Sequence, residues 1–271
     1  MKVSAIMTTR LIVVSPETSL DETIKLMDEN RVRHLPVVEG ERLIGVISDR
    51  AVLKATGWLP SRVLEVFSDE GGHLQVKDVM NSPAISVDAK TTVVNACLDM
   101  LGRSIGCLPV VDGDNLVGML SEMDILALYV RHCGGGKYDS LVEEHMTHEV
   151  TGIKENVTLQ KAAELMLSLG VRHLPVMEEG RLIGMLSDRD LQRGVGSGRS
   201  AKSAVEEVMS KMIVDARPGD HVSRAAEQMI KHRISALPIV EDGQLEGMLS
   251  MSDVFDICLD GLRQPEQVNL S

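Results

Sequence analysis

Apolar residues recur at two different periods that alternate along the chain. Leu20, Ile24 and Met27, and later Leu159, Ala163 and Met166, keep the three-to-four spacing of a helix that buries one face. Each helical stretch follows a short apolar run, at residues 11–14, 84–87, 150–153 and 212–216, which predicts a strand. Each precedes two Val/Ile/Leu runs split by an acidic, Gly-containing turn: LPVVEGERLIGVI, LPVVDGDNLVGML, LPVMEEGRLIGML and LPIVEDGQLEGML. That pattern predicts a hairpin. Ser19 with Glu22 forms a capping box before the first helix, and Thr92 and Thr158 hold the equivalent cap position. A second helix begins at a Ser-x-x-Asp segment. The predicted unit is α+β, ordered β-α-β-β-α, and about sixty residues long.

Four copies of the unit run in register. Leu-Pro stands at Leu35, Leu108, Leu174 and Leu237. Met7, Met80, Met146 and Met209 precede these by 28 residues, and Gly45, Gly118, Gly184 and Gly247 follow by ten. Ser48, Ser121, Ser187 and Ser250 come three further on. An ungapped spacing held four times marks an internal repeat. The repeats span 1–56, 76–131, 143–196 and 205–260, separated by an insertion at 57–75, a linker at 132–142 and a short linker at 197–204. A tail at 261–271 follows. The insertion carries Pro and Gly-Gly and predicts a loop around a short helix. GGGK at 134–137 lacks the second half of a phosphate-loop pattern and reads as a linker between two modules. One such unit covers too little apolar surface alone, so the units pair, first with second and third with fourth.

Composition narrows the function classes. Aromatic residues make up 2% of the 271, so the core is aliphatic, with 16 methionines as filler. Base-stacking platforms are absent, and a net charge of −12 opposes phosphate-backbone binding, which argues against nucleic acid. Cys97, Cys107, Cys133 and Cys258 are scattered without zinc-site spacing and read as free thiols of a reducing compartment. No signal-peptide core or membrane-spanning run is present in the sequence. The expectation is a cytoplasmic protein without a membrane partner or metal.

The Met-Thr before the first strand, the x-x-LPVV strand and the G-h-h-S-x-x-D entry to the last helix resemble the cystathionine-β-synthase (CBS) domain. The resemblance covers residues 1 to about 131 and 143 to about 260. It implies four CBS repeats paired into two Bateman modules that pack as a disc. It also implies clefts between paired domains that take adenosine-containing ligands: AMP, ADP, ATP or S-adenosylmethionine. The gamma subunit of AMP-activated protein kinase is similar in carrying four such units.

The resemblance places a ligand site residue by residue. Ser187 and Asp190 bracket a helix N-terminus, where free N–H groups favour an anion. The hydroxyl suits a phosphate and the carboxylate suits both ribose hydroxyls. Ser121 with Asp124 and Ser250 with Asp253 match, whereas Ser48 is followed by Ala51, so the first copy lacks the carboxylate. A capping box stabilised by about 1 kcal/mol explains the same residues with no ligand. Arg33-His34, Gly106-Cys107, Arg172-His173 and Ser235-Ala236 precede Leu-Pro; in the family these line the cleft, and the basic ones reach phosphate. A solvated strand start is the alternative. Ile12, Ile85, Thr151 and Val214 hold the adenine-facing position, and Arg50 and Arg189 either reach phosphate or cover the helix flank.

No nucleophile–base pair or metal-ligand cluster stands out in the sequence, and no catalytic cofactor is implied. The expectation is a regulatory sensor for an adenosine-containing small molecule that signals to an unidentified regulated protein, with a homodimer as an open option. A ligand-free scaffold is the alternative.

Overall fold

Alternation of apolar residues sets the hairpins, and helical spacing sets the helices that cover them. The computed structural model describes residues 1–55, 74–134, 136 and 139–262. The helix expected in the 57–75 insertion falls outside the described residues, as does most of the tail and part of the GGGK segment. The first repeat runs α1 (Leu20–Asn30), β1 (His34–Glu39), β2 (Arg42–Ser48) and α2 (Asp49–Ala55). The second runs β3 (Val87–Asp88), α3 (Val93–Arg103), β4 (Cys107–Asp112), β5 (Asn115–Ser121) and α4 (Glu122–Cys133). In the third are α5 (Leu159–Leu169), β6 (His173–Glu178), β7 (Arg181–Ser187) and α6 (Asp188–Gly196). The fourth holds α7 (Val222–His232), β8 (Ala236–Glu241), β9 (Gln244–Ser250) and α8 (Met251–Leu262).

The Leu of each Leu-Pro sits opposite an apolar residue of its hairpin partner: Leu35 and Ile47, Leu108 and Leu120, Leu174 and Leu186, Leu237 and Leu249. All eight are buried, which fixes the register, since a one-residue slip would turn them to solvent. The first helix of each repeat starts where expected. Ser19, Thr92 and Thr158 accept from the N–H groups of Glu22, Asn95 and Lys161.

The leading strand is shorter than the apolar runs predict. Only Val87–Asp88 forms a strand; Val14, Ile153 and Ala216 make single parallel bridges to Val37, Val176 and Ile239. The reason is topological. By packing, the chain divides into two compact units, and it crosses from one to the other at 11–12, 84–85, 150–151 and 213–214, inside these runs. A crossing segment is extended but has few partners, and Val13, Ile85 and Met212 are exposed there.

One unit holds the second and fourth repeats with residues Met1–Leu11; the other holds the first and third. In the first of these, α4 packs on α7 and α8 over a continuous core in which Tyr129 and Phe255 are buried. In the second, α6 packs on α1 and α2, and Leu53 of the first repeat joins the core of the third. Packing density therefore groups alternate repeats. Consecutive repeats are joined differently, by exchange of the segments that lead into them.

The exchange explains the fixed Met and Gly. Val3, Val76, Val142 and Val205 are each fully buried in the leading segments, four residues before the repeated Met. Met7, leading the first repeat, lies on Gly118 of the second; Met80, leading the second, lies on Gly45 of the first. Met146 and Gly247, and Met209 and Gly184, repeat the exchange between third and fourth. A Cβ at Gly118 would stand 2.5 Å from Met7 Sδ, and one at Gly45 would stand 2.8 Å from Met80 Sδ. Gly118→Ala should therefore cost about 1–3 kcal/mol by overpacking. Gly102→Ala in α3, where nothing lies within 4 Å, should stabilise by about 0.5–1 kcal/mol. Urea unfolding of the two variants checks both signs.

Candidate functional site

The last helix of each repeat starts where β2, β5, β7 and β9 end, so strand geometry aims the Ser and the helix start aims the residue three further on. Ser121 donates through N–H and Oγ to Asp124 Oδ2 at 2.8 and 2.7 Å. Ser187 does so to Asp190 at 2.7 and 2.6 Å, and Ser250 to Asp253 at 2.8 and 2.7 Å. Each carboxylate thus keeps its other oxygen for a different task. Thr8, from an exchanged leading segment, reaches Asp124 Oδ1 at 3.4 Å, and Arg193 reaches Asp190 Oδ1 at 3.2 Å. Burial pushes the Asp124 and Asp190 carboxyls above the usual carboxylate range, against their hydrogen bonds to Ser. In the first repeat, where Ala51 stands, Ser48 Oγ accepts from the Ala51 N–H. The phosphate donor expected at these serines is thus spent on the neighbouring Asp in the three complete copies.

Asp253 lines a cavity of about 700 Å³ with Asp139, Ser140, Glu144, His145 and Asp256 among the other lining residues. Ser140 Oγ and His145 Nε2 are 2.7 Å apart, and Asp139 accepts from the Ser223 hydroxyl at 2.6 Å. Burial, with Asp253 and Asp260 nearby, raises the Asp256 carboxyl. Sequence reading passed over this wall, because Asp139 and Ser140 sit in a segment read as linker.

Arg33 and Arg172 have partners that sequence reading also passed over. Arg172 donates through Nε to Asp188 at 2.5 Å and through one terminal nitrogen to both oxygens of Asp49 at 3.0 and 3.1 Å. Arg33 contacts the same two carboxylates at 3.8 and 3.7 Å. Each arginine so pairs with the Asp of its own repeat and with that of the other. The available signal was co-occurrence: Ser-Asp-Arg follows only the two hairpins that start with Arg-His. Gly106 pairs in sequence with Glu122 and Ser235 with Met251, so the other unit has no such quartet.

The quartet sets the charge states around it. Burial and the two arginines push His34 and His173 down to about 3, so both rings are neutral. Burial alone would raise Asp188, but Arg33 and Arg172 override it and hold the group at about 2. Burial and the adjacent Asp188 push Asp49 up. Arg189 is lowered to about 10 by burial and Arg33, and its guanidinium reaches the Arg31 carbonyl at 3.3 Å. The alternative of a solvated strand start has to accommodate an Arg33 side chain only 15% exposed and an Arg172 side chain 31% exposed, both paired with carboxylates.

The structure brings Arg33, His34, Ser48, Arg50, Arg172, His173, Ser187, Arg189 and Asp190 into one unit, with Ile12 and Thr151 at its chain crossings. Gly106, Cys107, Ser121, Asp124, Ser235, Ala236, Ser250 and Asp253 lie in the other, with Ile85 and Val214 at the crossings. Cys107, Ser235 and Ala236 are buried, while Ile85 and Thr151 are exposed. Cys97, Cys107 and Cys258 are free and buried, and burial raises the Cys97 thiol to about 12. Among the described residues no cluster of three metal-ligating side chains occurs, and no helix is long and apolar enough to cross a membrane.

Four β-α-β-β-α repeats with exchanged leading segments define a tandem-repeat protein of small α+β domains. The CBS domain profile matches residues 3–57, 76–131, 142–196 and 205–260, and the chain belongs to the CBS domain family. Protein MJ1225 of Methanocaldococcus jannaschii is 24% identical over 267 residues, 91% of this chain and 94% of that protein. Its crystal structure superposes with a TM-score of 0.81 at 23% identity, covering 94% of this chain and 99% of the other. A conserved protein of Pyrococcus horikoshii matches at TM-score 0.63 and 24% identity, over 95% of this chain and all of that one. The CBS domain-containing protein YhcV of Bacillus subtilis is 39% identical over 116 residues, 42% of this chain and 83% of its own length.

Proposed function

We propose that the protein is a regulatory sensor that binds an adenine nucleotide or related adenosyl ligand and passes the change to a partner protein. The observation that carries this reading is the cavity at Asp253. Its volume of about 700 Å³ lies in the range of small-molecule sites, and it includes the carboxylate that the family resemblance assigns to ribose. The description of MJ1225 as a proposed archaeal homolog of g-AMPK is in keeping with it.

The copies are unequal in this reading. Asp253 accepts from Ser250 with one oxygen, whereas Asp190 is also engaged by Arg193 and the first repeat has Ala51 at the equivalent position. Calorimetric titration of ligand-stripped protein with AMP, ATP and S-adenosylmethionine tests the proposal. Asp253→Ala should weaken binding ten- to a hundredfold, because about 1–3 kcal/mol of charge-assisted hydrogen bonding is lost. One observation favours a ligand-free docking scaffold instead: the Ser–Asp caps are complete without a ligand. If Asp253→Ala and Asp190→Ala both bind as wild type does, those residues are caps only, and the scaffold reading takes the lead.

A further inference from the structure

We infer that Asp49 and Asp188 are built-in competitors for a polyphosphate, holding the guanidinium groups of Arg33 and Arg172 until a ligand with adjacent phosphates displaces them. The inference rests on the nucleotide-sensor reading and adds the ligand class and the threshold of the unit formed by the first and third repeats.

Geometry comes first. A single guanidinium, that of Arg172, spans two carboxylates from two repeats. One isolated phosphate has oxygens enough to take both the Nε–H and the terminal N–H of this one guanidinium. A second, linked phosphate can engage Arg33, which contacts the same two carboxylates, since arginine's planar fork binds phosphate and carboxylate oxygens with the same geometry. S-adenosylmethionine has no phosphate and gains nothing from the exchange.

The quartet is also incompletely satisfied. Asp188 Oδ1 is buried and makes no hydrogen bond among the described residues; its contact with Arg33 is 3.7 Å long. Arg33 approaches the two carboxylates at 3.8 and 3.7 Å, farther than Arg172 does. Asp49 has a fallback partner at the start of α2, where the Arg50 N–H donates to Oδ1 at 2.7 Å. Access runs along Arg172, whose side chain is 31% exposed while that of Asp49 is 1% exposed. The surrounding charge favours the incoming anion, because Arg189 adds a third cation beside the quartet.

Binding is therefore an exchange of anions, and the internal carboxylates weaken the apparent affinity until the polyphosphate concentration is high. The repeated Ser-Asp-Arg then has a second role beside any cap: it sets the concentration at which this unit responds.

Inorganic tripolyphosphate is the first probe, because it carries the phosphates without the adenosine. Asp49→Asn and Asp188→Asn, each keeping one carboxylate, should raise tripolyphosphate affinity at least tenfold while S-adenosylmethionine binding stays within twofold. In 15N-labelled wild type, the Arg172 Nε–H resonance, assigned by its loss in Arg172→Lys, should shift as tripolyphosphate is added; this readout stands even if a variant fails to fold. Tripolyphosphate binding with no response to AMP, ATP or S-adenosylmethionine supports the exchange and refutes the adenosyl reading. ATP binding that the folded Asn variants leave unchanged or weaken, with an unmoved Arg172 resonance, overturns the exchange and leaves the sensor reading standing.

Discussion

Arg172→Ala should lower the stability of the unit built from the first and third repeats by about 3–5 kcal/mol, the cost of removing one partner from a buried ion pair. Asp49 and Asp188 would keep the guanidinium of Arg33 at 3.7–3.8 Å but lose the shorter contacts to Arg172. Asp49 and Asp188 are 1% and 5% exposed, so the carboxylates lose a charged partner in a buried setting. Urea unfolding followed by circular dichroism should show an earlier first transition. Arg172→Lys should fall between wild type and Ala, since a point charge cannot span two carboxylates as a planar fork does.

A quadruple variant separates stability from specificity. Replacing Arg33 and Arg172 with Met and Asp49 and Asp188 with Leu removes all four charges together. Buried ion networks exchanged for apolar side chains of similar size are often neutral or more stable. The quadruple variant should then recover most of the loss seen in Arg172→Ala. If Arg172→Ala itself unfolds within about 0.5 kcal/mol of wild type, the quartet is solvated in solution and the reasoning fails.

The fold was legible because its determinants are local and repeated. Leu35, Leu108, Leu174 and Leu237 announce a buried strand in each copy, and Ser19, Thr92 and Thr158 announce the helix that precedes it. What spacing could not give was the partner of each repeated residue. The fixed distance from Met7 to Gly45 does not say which Met meets which Gly; Met7 packs on Gly118 and Met80 on Gly45. Exchange leaves the spacing unchanged, so the pattern is the same either way. The leading strands were overestimated for a related reason: an apolar run at a chain crossing has the composition of a strand without its ladder.

The candidate site was legible as a set of positions and not as a set of charges. Arg33 and Arg172 were recognised as cations for a phosphate, but the carboxylates that hold them lie sixteen residues on in sequence, at the start of the second helix. A one-dimensional reading weighs Asp49 and Asp188 as helix-start residues. Only the packing of α2 and α6 in one unit brings both against both arginines. Asp139 and Ser140 were missed because they neighbour a glycine run, although Asp139 is 7% exposed and firmly hydrogen-bonded.

Acid should destabilise the protein well above the pH at which ordinary carboxylates titrate, and two histidines account for it. His34 and His173 stay neutral in the folded chain down to about pH 3, chiefly through burial and then through Arg33 and Arg172. Arg189 acts in the same sense and Asp188 opposes it. In the unfolded chain both titrate near 6.5. The unfolded state therefore binds more protons at any pH between these values, and stability falls as pH drops through 6.5. From pH 7.5 to 5.5 the loss is about 1.4 kcal/mol for each ring and about 3 kcal/mol for both. Asp49, raised by burial and by Asp188, contributes with the opposite sign, because its folded form takes up a proton before its unfolded form does. The measurement is thus a difference: urea midpoints across pH 7.5–5.5 for wild type and for His34→Gln with His173→Gln. Wild type should lose about 3 kcal/mol more than the double variant over that range. Ring C2–H resonances of both histidines should show no titration above pH 4. Equal losses in the two proteins, or ring resonances that titrate near 6.5, would show that these side chains protonate freely in the folded chain and that the quartet does not shield them.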